Sequence, residues 1–300
     1  MYCGHFRLTE PPFGITPDTS FYFPCSRHQA ALNTLLIAAR NGEGFIKVTG
    51  EVGTGKTLLC RKFLASLGEG VASAYIPNPY LEPRTLLLAL ADELEVALAP
   101  DLDQHRLLKA LTAALVDAAA AGRRVVVCLD EAQAMPTESL EALRLLTNLE
   151  TEKRKLLQVV LFGQPELDRR LEQPAVRQLQ QRITFHYYLG PLTRPELDAY
   201  VAHRLKVAGC PGGLFDLPAR RALYLASGGV PRLVNILAHK AMLAAYGEGA
   251  RVVCARHVRG AAADTPAARN RLWLKLGASL DALSGMGRME MNKGKRRESD

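Results

Sequence analysis

Eight residues, Gly50-Glu-Val-Gly-Thr-Gly-Lys-Thr57, restrict the folds open to this chain more than any other stretch. They follow an apolar run at 45–48 and open a helical pattern near Lys56, so the loop joins a strand to a helix. Gly50, Gly53 and Gly55 let the backbone turn until successive N–H groups face one point, at the positive end of the following helix. That cradle suits a polyphosphate held by the backbone of Gly50, Glu51, Val52, Gly53, Thr54 and Gly55, with Lys56, Thr57 and Leu58 opening the helix. Lys56 is placed to reach the β- and γ-phosphates, and the Thr57 hydroxyl to hold Mg²⁺.

A strand, a glycine loop and a helix are one unit of a doubly wound sheet, and the rest of the chain supplies the others. Strand patterns fall at 45–49, 72–76, 125–129, 156–162 and 183–189, and helical patterns at 28–41, 56–67, 84–96, 104–121 and 137–150 lie before and between them. Short apolar strands separated by helices imply a five-stranded parallel sheet covered on both faces. After Pro191 only helical patterns return, at 194–207, 218–226, 231–245 and 255–263, which suggests a small helical lid. Four regions result: a strap and helix at 1–44, a nucleotide-binding domain at 45–190, a lid at 191–263 and a basic, partly disordered tail at 264–300. The strap, rich in proline and aromatic residues up to residue 27, is expected to pack on the nucleotide domain. The tail carries one amphipathic candidate at 271–283.

Composition sets limits on function. The net charge is +8, yet eleven Lys/Arg against five Asp/Glu from Arg251 onward leave only +2 for the first 250 residues. The basic end is a solvated tail or a surface for an acidic partner, anionic membrane or nucleic acid. No apolar run approaches the roughly 18–20 residues that span a bilayer, and the N-terminus lacks the apolar block of a signal peptide. The expectation is a cytoplasmic protein that meets a membrane only through partners. The six cysteines show no C-x-x-C spacing and the seven histidines no metal-ligand grouping, so no zinc site or disulfide framework is indicated.

A second motif completes the phosphate site. The apolar run 125–129 ends in Asp130-Glu131, which brings two carboxylates to the C-terminal edge of a parallel sheet, where ligands bind. Asp130 is placed to hold the Mg²⁺ shell and Glu131 to orient and deprotonate an attacking water.

These motifs, with Pro11-Pro-Phe-Gly-Ile-Thr-Pro-Asp-Thr19, Tyr75-Ile-Pro-Asn-Pro-Tyr80, Leu129-Asp-Glu-Ala-Gln133, Leu161-Phe-Gly-Gln-Pro-Glu-Leu167 and Gln181-Arg-Ile-Thr184, make the chain resemble the AAA+ ATPases of the ExeA/GspA group, which serve bacterial secretion and pilus assembly. The resemblance covers about residues 1–260. It implies a P-loop NTPase fold with a C-terminal helical lid, ATP and Mg²⁺ as cofactors, hydrolysis of ATP, and self-association into an oligomer. Longer secretion members continue into a membrane span and a peptidoglycan-binding region; their absence here favours the shorter, MSHA-pilus type. The partners implied are inner-membrane assembly proteins of a pilus or secretion apparatus.

The resemblance also implies roles for single residues. Gln164 matches the polar sensor of the γ-phosphate. Arg232, in Gly228-Gly-Val-Pro-Arg232, matches the second sensor, an arginine that folds from the lid onto the phosphates. An arginine finger reaching a neighbour's phosphate is assigned first to Arg182 and second to Arg177. His28, with Tyr22 and Phe23, is a candidate for contact with the adenine edge. Similar ATPase modules load replication proteins and regulate transposition, so a nucleic-acid-associated ATPase is the second reading; no helix-turn-helix or aromatic-interleaved basic patch supports it. A third is a nucleotide-gated scaffold with little turnover.

Overall fold

In the computed structural model, residues 2–99, 102–148, 155–210 and 212–268 are described. The chain starts with a short helix, α1 (Tyr2–Phe6), and reaches helix α2 (Ser26–Asn41), which Gly42 stops in the left-handed conformation, φ 79°. Strand β1 (Phe45–Thr49), helix α3 (Lys56–Leu64) and strand β2 (Val71–Ile76) follow. Next come α4 (Pro83–Glu93), α5 (Gln104–Ala120), β3 (Arg124–Leu129) and α6 (Thr137–Thr147). Strand β4 (Gln158–Gly163), α7 (Glu166–Leu171), α8 (Arg177–Gln180) and β5 (Ile183–Tyr188) end the sheet region. Helices α9 (Arg194–Val207), α10 (Leu217–Ser227), α11 (Pro231–Gly247) and α12 (Ala255–Ala263) follow among the described residues.

Residues 17–190 form one compact unit. Its five strands are parallel in the order β2-β3-β4-β1-β5. The central strands β1 and β4 are buried along their whole length, whereas β5, at an edge, alternates half-buried with exposed positions. Period-two alternation sorts the buried residues onto two faces. Phe45, Val127, Leu129, Val159 and Leu161 meet leucines of α4, α5 and α6 on one face. Ile46, Val48, Val126, Cys128, Val160 and Phe162 meet Leu35 of α2 and Leu59 and Phe63 of α3 on the other. The crossover order matters for the site. Strand β4 lies between β1 and β3, so the loops leaving the C-terminal ends of all three are neighbours.

Residues 2–16 and 191–268 form the second unit. The expectation of a strap packed on the nucleotide domain is therefore corrected for residues 2–16, which pack among the helices of this second unit instead. Tyr2 Oη lies 3.0 Å from His239 Nδ1 of α11, Asn235 Nδ2 donates to the Gly14 carbonyl at 3.0 Å, and Arg204 Nε donates to that of Pro12. Phe13 meets Phe215 edge-on with ring centroids 5.8 Å apart. Aromatic and proline content requires burial but carries no information about which surface does the burying. The boundary at 264 also moves. Thr265 and Ala268 are buried, Thr265 Oγ1 donates to Ala261 O at 2.8 Å, and Lys240 Nζ meets Asp264 Oδ2 at 2.6 Å. The amphipathic candidate at 271–283 lies outside the described residues.

Capping fixes the helix ends in this unit. Asp216 accepts from Ala219 N at 2.6 Å, and Gly228 closes α10 at φ 59°. Gly229, at φ 80°, is required by a close approach: a Cβ there would stand 2.1 Å from the Leu192 carbonyl oxygen, where Gly229 O accepts from Leu192 N at 2.9 Å. Replacing Asp216 by alanine removes the first-turn acceptor and is expected to lower the unit's stability by about 1 kcal/mol in denaturant titration.

Candidate functional site

Gly53 and Gly55 take φ of 83° and 100°, conformations that side chains resist, and so the loop bends into a cradle at the start of α3. Its floor is tight: a Cβ on Gly50 would stand 2.5 Å from the Leu189 carbonyl oxygen. Lys56, 5% exposed, turns back over the loop and donates to Gly50 O at 2.7 Å and Glu51 O at 3.0 Å. Burial pushes its ammonium pKa down, and the carboxylates of Glu131, Asp130 and Glu51 resist that shift. Val52 is exposed, so it offers a ligand only its backbone, and Leu58 is half-buried in the first turn of α3.

At the second residue of the helix, Thr57 Oγ1 donates to Asp130 Oδ2 at 2.6 Å. Asp130, 2% exposed, ends β3 across the intervening strand and also accepts from Glu131 N at 3.0 Å and Tyr75 Oη at 3.4 Å. Burial raises its pKa, against the hydrogen bonds from Thr57 and the Glu131 amide. Among the described residues no group of three or more His, Cys, Asp or Glu is arranged to hold a metal. The Thr57 hydroxyl and the Asp130 carboxylate are hard oxygen donors, the type that would suit Mg²⁺ beside a bound phosphate.

Glu131 sits in the left-handed region, φ 53° and ψ 37°. Its Oε2 accepts from Gln133 Nε2 at 2.6 Å and from Gln164 Nε2 at 3.0 Å. Burial works to raise its pKa, but the two amide hydrogen bonds and the Lys56 charge outweigh it, and the net shift is downward. The carboxylate is thus ionised at neutral pH and aimed by two donors. Gln133 is itself fixed: its Oε1 accepts from Gln164 N at 3.0 Å, and its carbonyl accepts from Arg170 NH1 of α7 at 2.5 Å. Because a backbone N–H must face an amide oxygen, this bond leaves Nε2 for Glu131.

The fold thus links Thr57 to Asp130 and Glu131 to Gln164, with Lys56 at the start of α3. Sequence reasoning missed Gln133, Arg170 and Tyr75. Gln133 and Tyr75 stand inside motifs that carry the resemblance, which assigned neither a role of its own; Arg170 offered no signal. His28 is corrected. It does not stand open to a base, because it is buried with Nε2 3.0 Å from the Thr54 carbonyl oxygen. Arg177 is exposed on α8 and Arg182 half-buried before β5, and neither side chain bonds to the described residues of the site. Arg232 is exposed in the first turn of α11, in the helical unit. The six cysteines are free thiols, with Cys25, Cys60 and Cys128 buried.

The family described as an AAA domain matches residues 39–171. Over 253 residues the chain is 46% identical to general secretion pathway protein A of Aeromonas hydrophila, covering 84% of this chain and 46% of that protein. The chain therefore spans about half the length of its curated relative. Among solved structures, the Aeropyrum pernix ORC2 protein, determined as ADPNP–ADP complexes, aligns at 19% identity and TM-score 0.58 over 83% of this chain and 72% of its own. Cdc6p from Pyrobaculum aerophilum aligns at 18% identity and TM-score 0.66 over 81% of this chain and 70% of its own. At such identity the likeness shows the fold. Among the described residues no helix is long and apolar enough to cross a membrane. A phosphate loop, paired acids at the end of β3, the strand order and the sequence match together make this chain a P-loop protein of AAA-type fold, related in sequence to general secretion pathway protein A.

Proposed function

We propose that this chain is a Mg²⁺-dependent ATPase that assists assembly of an MSHA-type type IV pilus or of type II secretion-related machinery, resembling the MSHA pilus biogenesis ATPase MshM. The observation that carries the enzymatic part is the Glu131 carboxylate, ionised and held by Gln133 and Gln164 beside the Thr57–Asp130 pair. Loop N–H groups and Lys56 bind the phosphates, and Thr57 and Asp130 would hold Mg²⁺. When bound, Mg²⁺ neutralises charge on the phosphate oxygens. Glu131 takes the proton of the attacking water, and Gln164 turns that water toward the γ-phosphate. Arg182, or Arg177, enters a neighbouring copy's site to stabilise charge in the transition state, and Arg232 carries the nucleotide state to the lid. The pilus or secretion context rests on sequence similarity to the Aeromonas protein, and inner-membrane assembly proteins are the partners it implies. The protein acts from the cytoplasm, at the membrane through those partners.

Two outcomes check this reading. Lys56→Ala is expected to weaken ATP affinity roughly hundredfold by equilibrium titration, the loss of a charged hydrogen-bond donor from a buried site. Specific ATPase activity of the wild type is expected to rise with protein concentration and to ignore duplex DNA; activity independent of concentration removes the shared site.

A DNA-associated AAA+ ATPase is the second reading. The Aeropyrum pernix ORC1 protein, of like fold at 22% identity and TM-score 0.61, was determined in complex with DNA. The relative at 46% identity is a secretion protein, which favours the first. Strong stimulation of turnover by DNA would reverse the order.

A further inference from the structure

The phosphate loop is held from outside by a residue to which the proposed hydrolysis gives no part. His28, in the first turn of α2, is 7% exposed, and its Nε2 lies 3.0 Å from the Thr54 carbonyl oxygen. A carbonyl oxygen carries no proton, so Nε2 is the protonated nitrogen and the donor. Nδ1 lies 2.8 Å from Sγ of Cys25, the residue that caps α2. In a neutral imidazole with Nε2 protonated, Nδ1 accepts the thiol S–H. The tautomer is thus fixed from both sides.

The consequence for the loop comes from peptide geometry. Across a trans peptide the C=O and the next N–H point in opposite directions. Tying the Thr54 carbonyl to His28 therefore turns the Gly55 N–H to the other side, away from α2. Gly55 has φ 100°, and a Cβ there would stand 2.9 Å from His28 Nε2, so a glycine is what lets the imidazole approach. Lys56 also braces the loop, through Gly50 O and Glu51 O, and keeps a third N–H for a phosphate. The His28 bond likewise uses no group that faces the phosphates and can persist in the loaded state.

We propose that His28 is a positioning residue for the phosphate loop. Its Nε2–H holds the Thr54–Gly55 peptide with the N–H facing the nucleotide phosphates, and the Cys25 thiol keeps the imidazole in the tautomer that can do so. This rests on the nucleotide-binding reading and deepens it, by assigning the preset shape of the loop to two residues outside the loop.

The test is equilibrium binding of a fluorescent ADP analogue with Mg²⁺ to wild type, Lys56→Ala, His28→Leu, His28→Asn, His28→Gln and Cys25→Ala, with the melting temperature of each nucleotide-free protein. His28→Leu should weaken binding about tenfold, the loss of one buried hydrogen bond. His28→Gln sets an amide N–H near the place of Nε2 and should bind within about threefold of wild type. His28→Asn, too short to reach the Thr54 oxygen, should bind as weakly as the leucine variant and replaces it if that protein does not fold. Cys25→Ala should fall between. A merely structural histidine would lower the melting temperatures of the Gln and Asn variants alike and leave their affinities equal, which overturns the proposal. If wild type binds, Lys56→Ala does not and the His28 series is flat, the nucleotide reading stands and this inference fails. A wild type that binds no nucleotide removes both.

Discussion

Replacing Glu131 by glutamine is expected to lower ATP turnover about a thousandfold while nucleotide affinity stays within a few-fold of wild type. The substitution is close to isosteric, and the new amide oxygen can still accept from Gln133 and Gln164, which lie 2.6 Å and 3.0 Å from Oε2. The backbone at φ 53° is a property of the turn rather than of the charge. What is lost is a basic oxygen held ionised beside the nucleotide cradle. An amide cannot take a proton from water, so the chemical step slows and binding does not. Single-turnover hydrolysis beside equilibrium binding separates the two. Near wild-type turnover would exclude Glu131 as the base. The same variant tests the scaffold reading in cells: an assembly factor that needs only bound ATP keeps its function with Glu131→Gln, and one driven by hydrolysis loses it.

Arg182→Ala is expected to cost about a thousandfold in turnover, and only at concentrations where the wild type is activated by self-association. Arg182 lies half-buried just before the edge strand β5, and its guanidinium bonds to nothing among the described residues. A cation held at a sheet edge without a partner among the described residues is free to serve a neighbour's site. Mixing supplies the decisive measurement. Arg182→Ala and Glu131→Gln copies are each inactive alone; in a mixed assembly some sites combine an intact Glu131 with an intact Arg182 from the next copy, and part of the activity returns. No recovery on mixing, together with wild-type behaviour of Arg182→Ala, moves the assignment to Arg177, which stands exposed on α8.

The features legible in the sequence are those set by short-range rules. Glycine spacing, an apolar run before a loop and a lysine–threonine pair opening a helix are written within eight residues, and the structure has Gly53 and Gly55 at positive φ and α3 starting at Lys56 as those rules require. The strands were legible because a buried parallel strand is mostly apolar, and β1, β3 and β4 carry only Lys47, Thr49, Arg124 and Gln158 as polar residues. Helix ends drifted where capping was weak: α3 ends at Leu64, short of the apolar pattern that runs to Leu67.

Tertiary structure alone decided which distant segments meet. Placing β4 between β1 and β3 put Gln164 against Glu131 and made Gln133 the bridge between them, a relation that residue spacing cannot encode. It also bonded His28, a candidate for the adenine edge, to the Thr54 carbonyl of the loop, and put residues 2–16 in the unit of helices α9 to α12 and not in that of the sheet. Backbone conformation and helix capping are settled among residues a few positions apart, so one stretch of chain specifies them. Contacts across a hundred residues are settled by which apolar faces must be buried together, and that is a property of the whole chain.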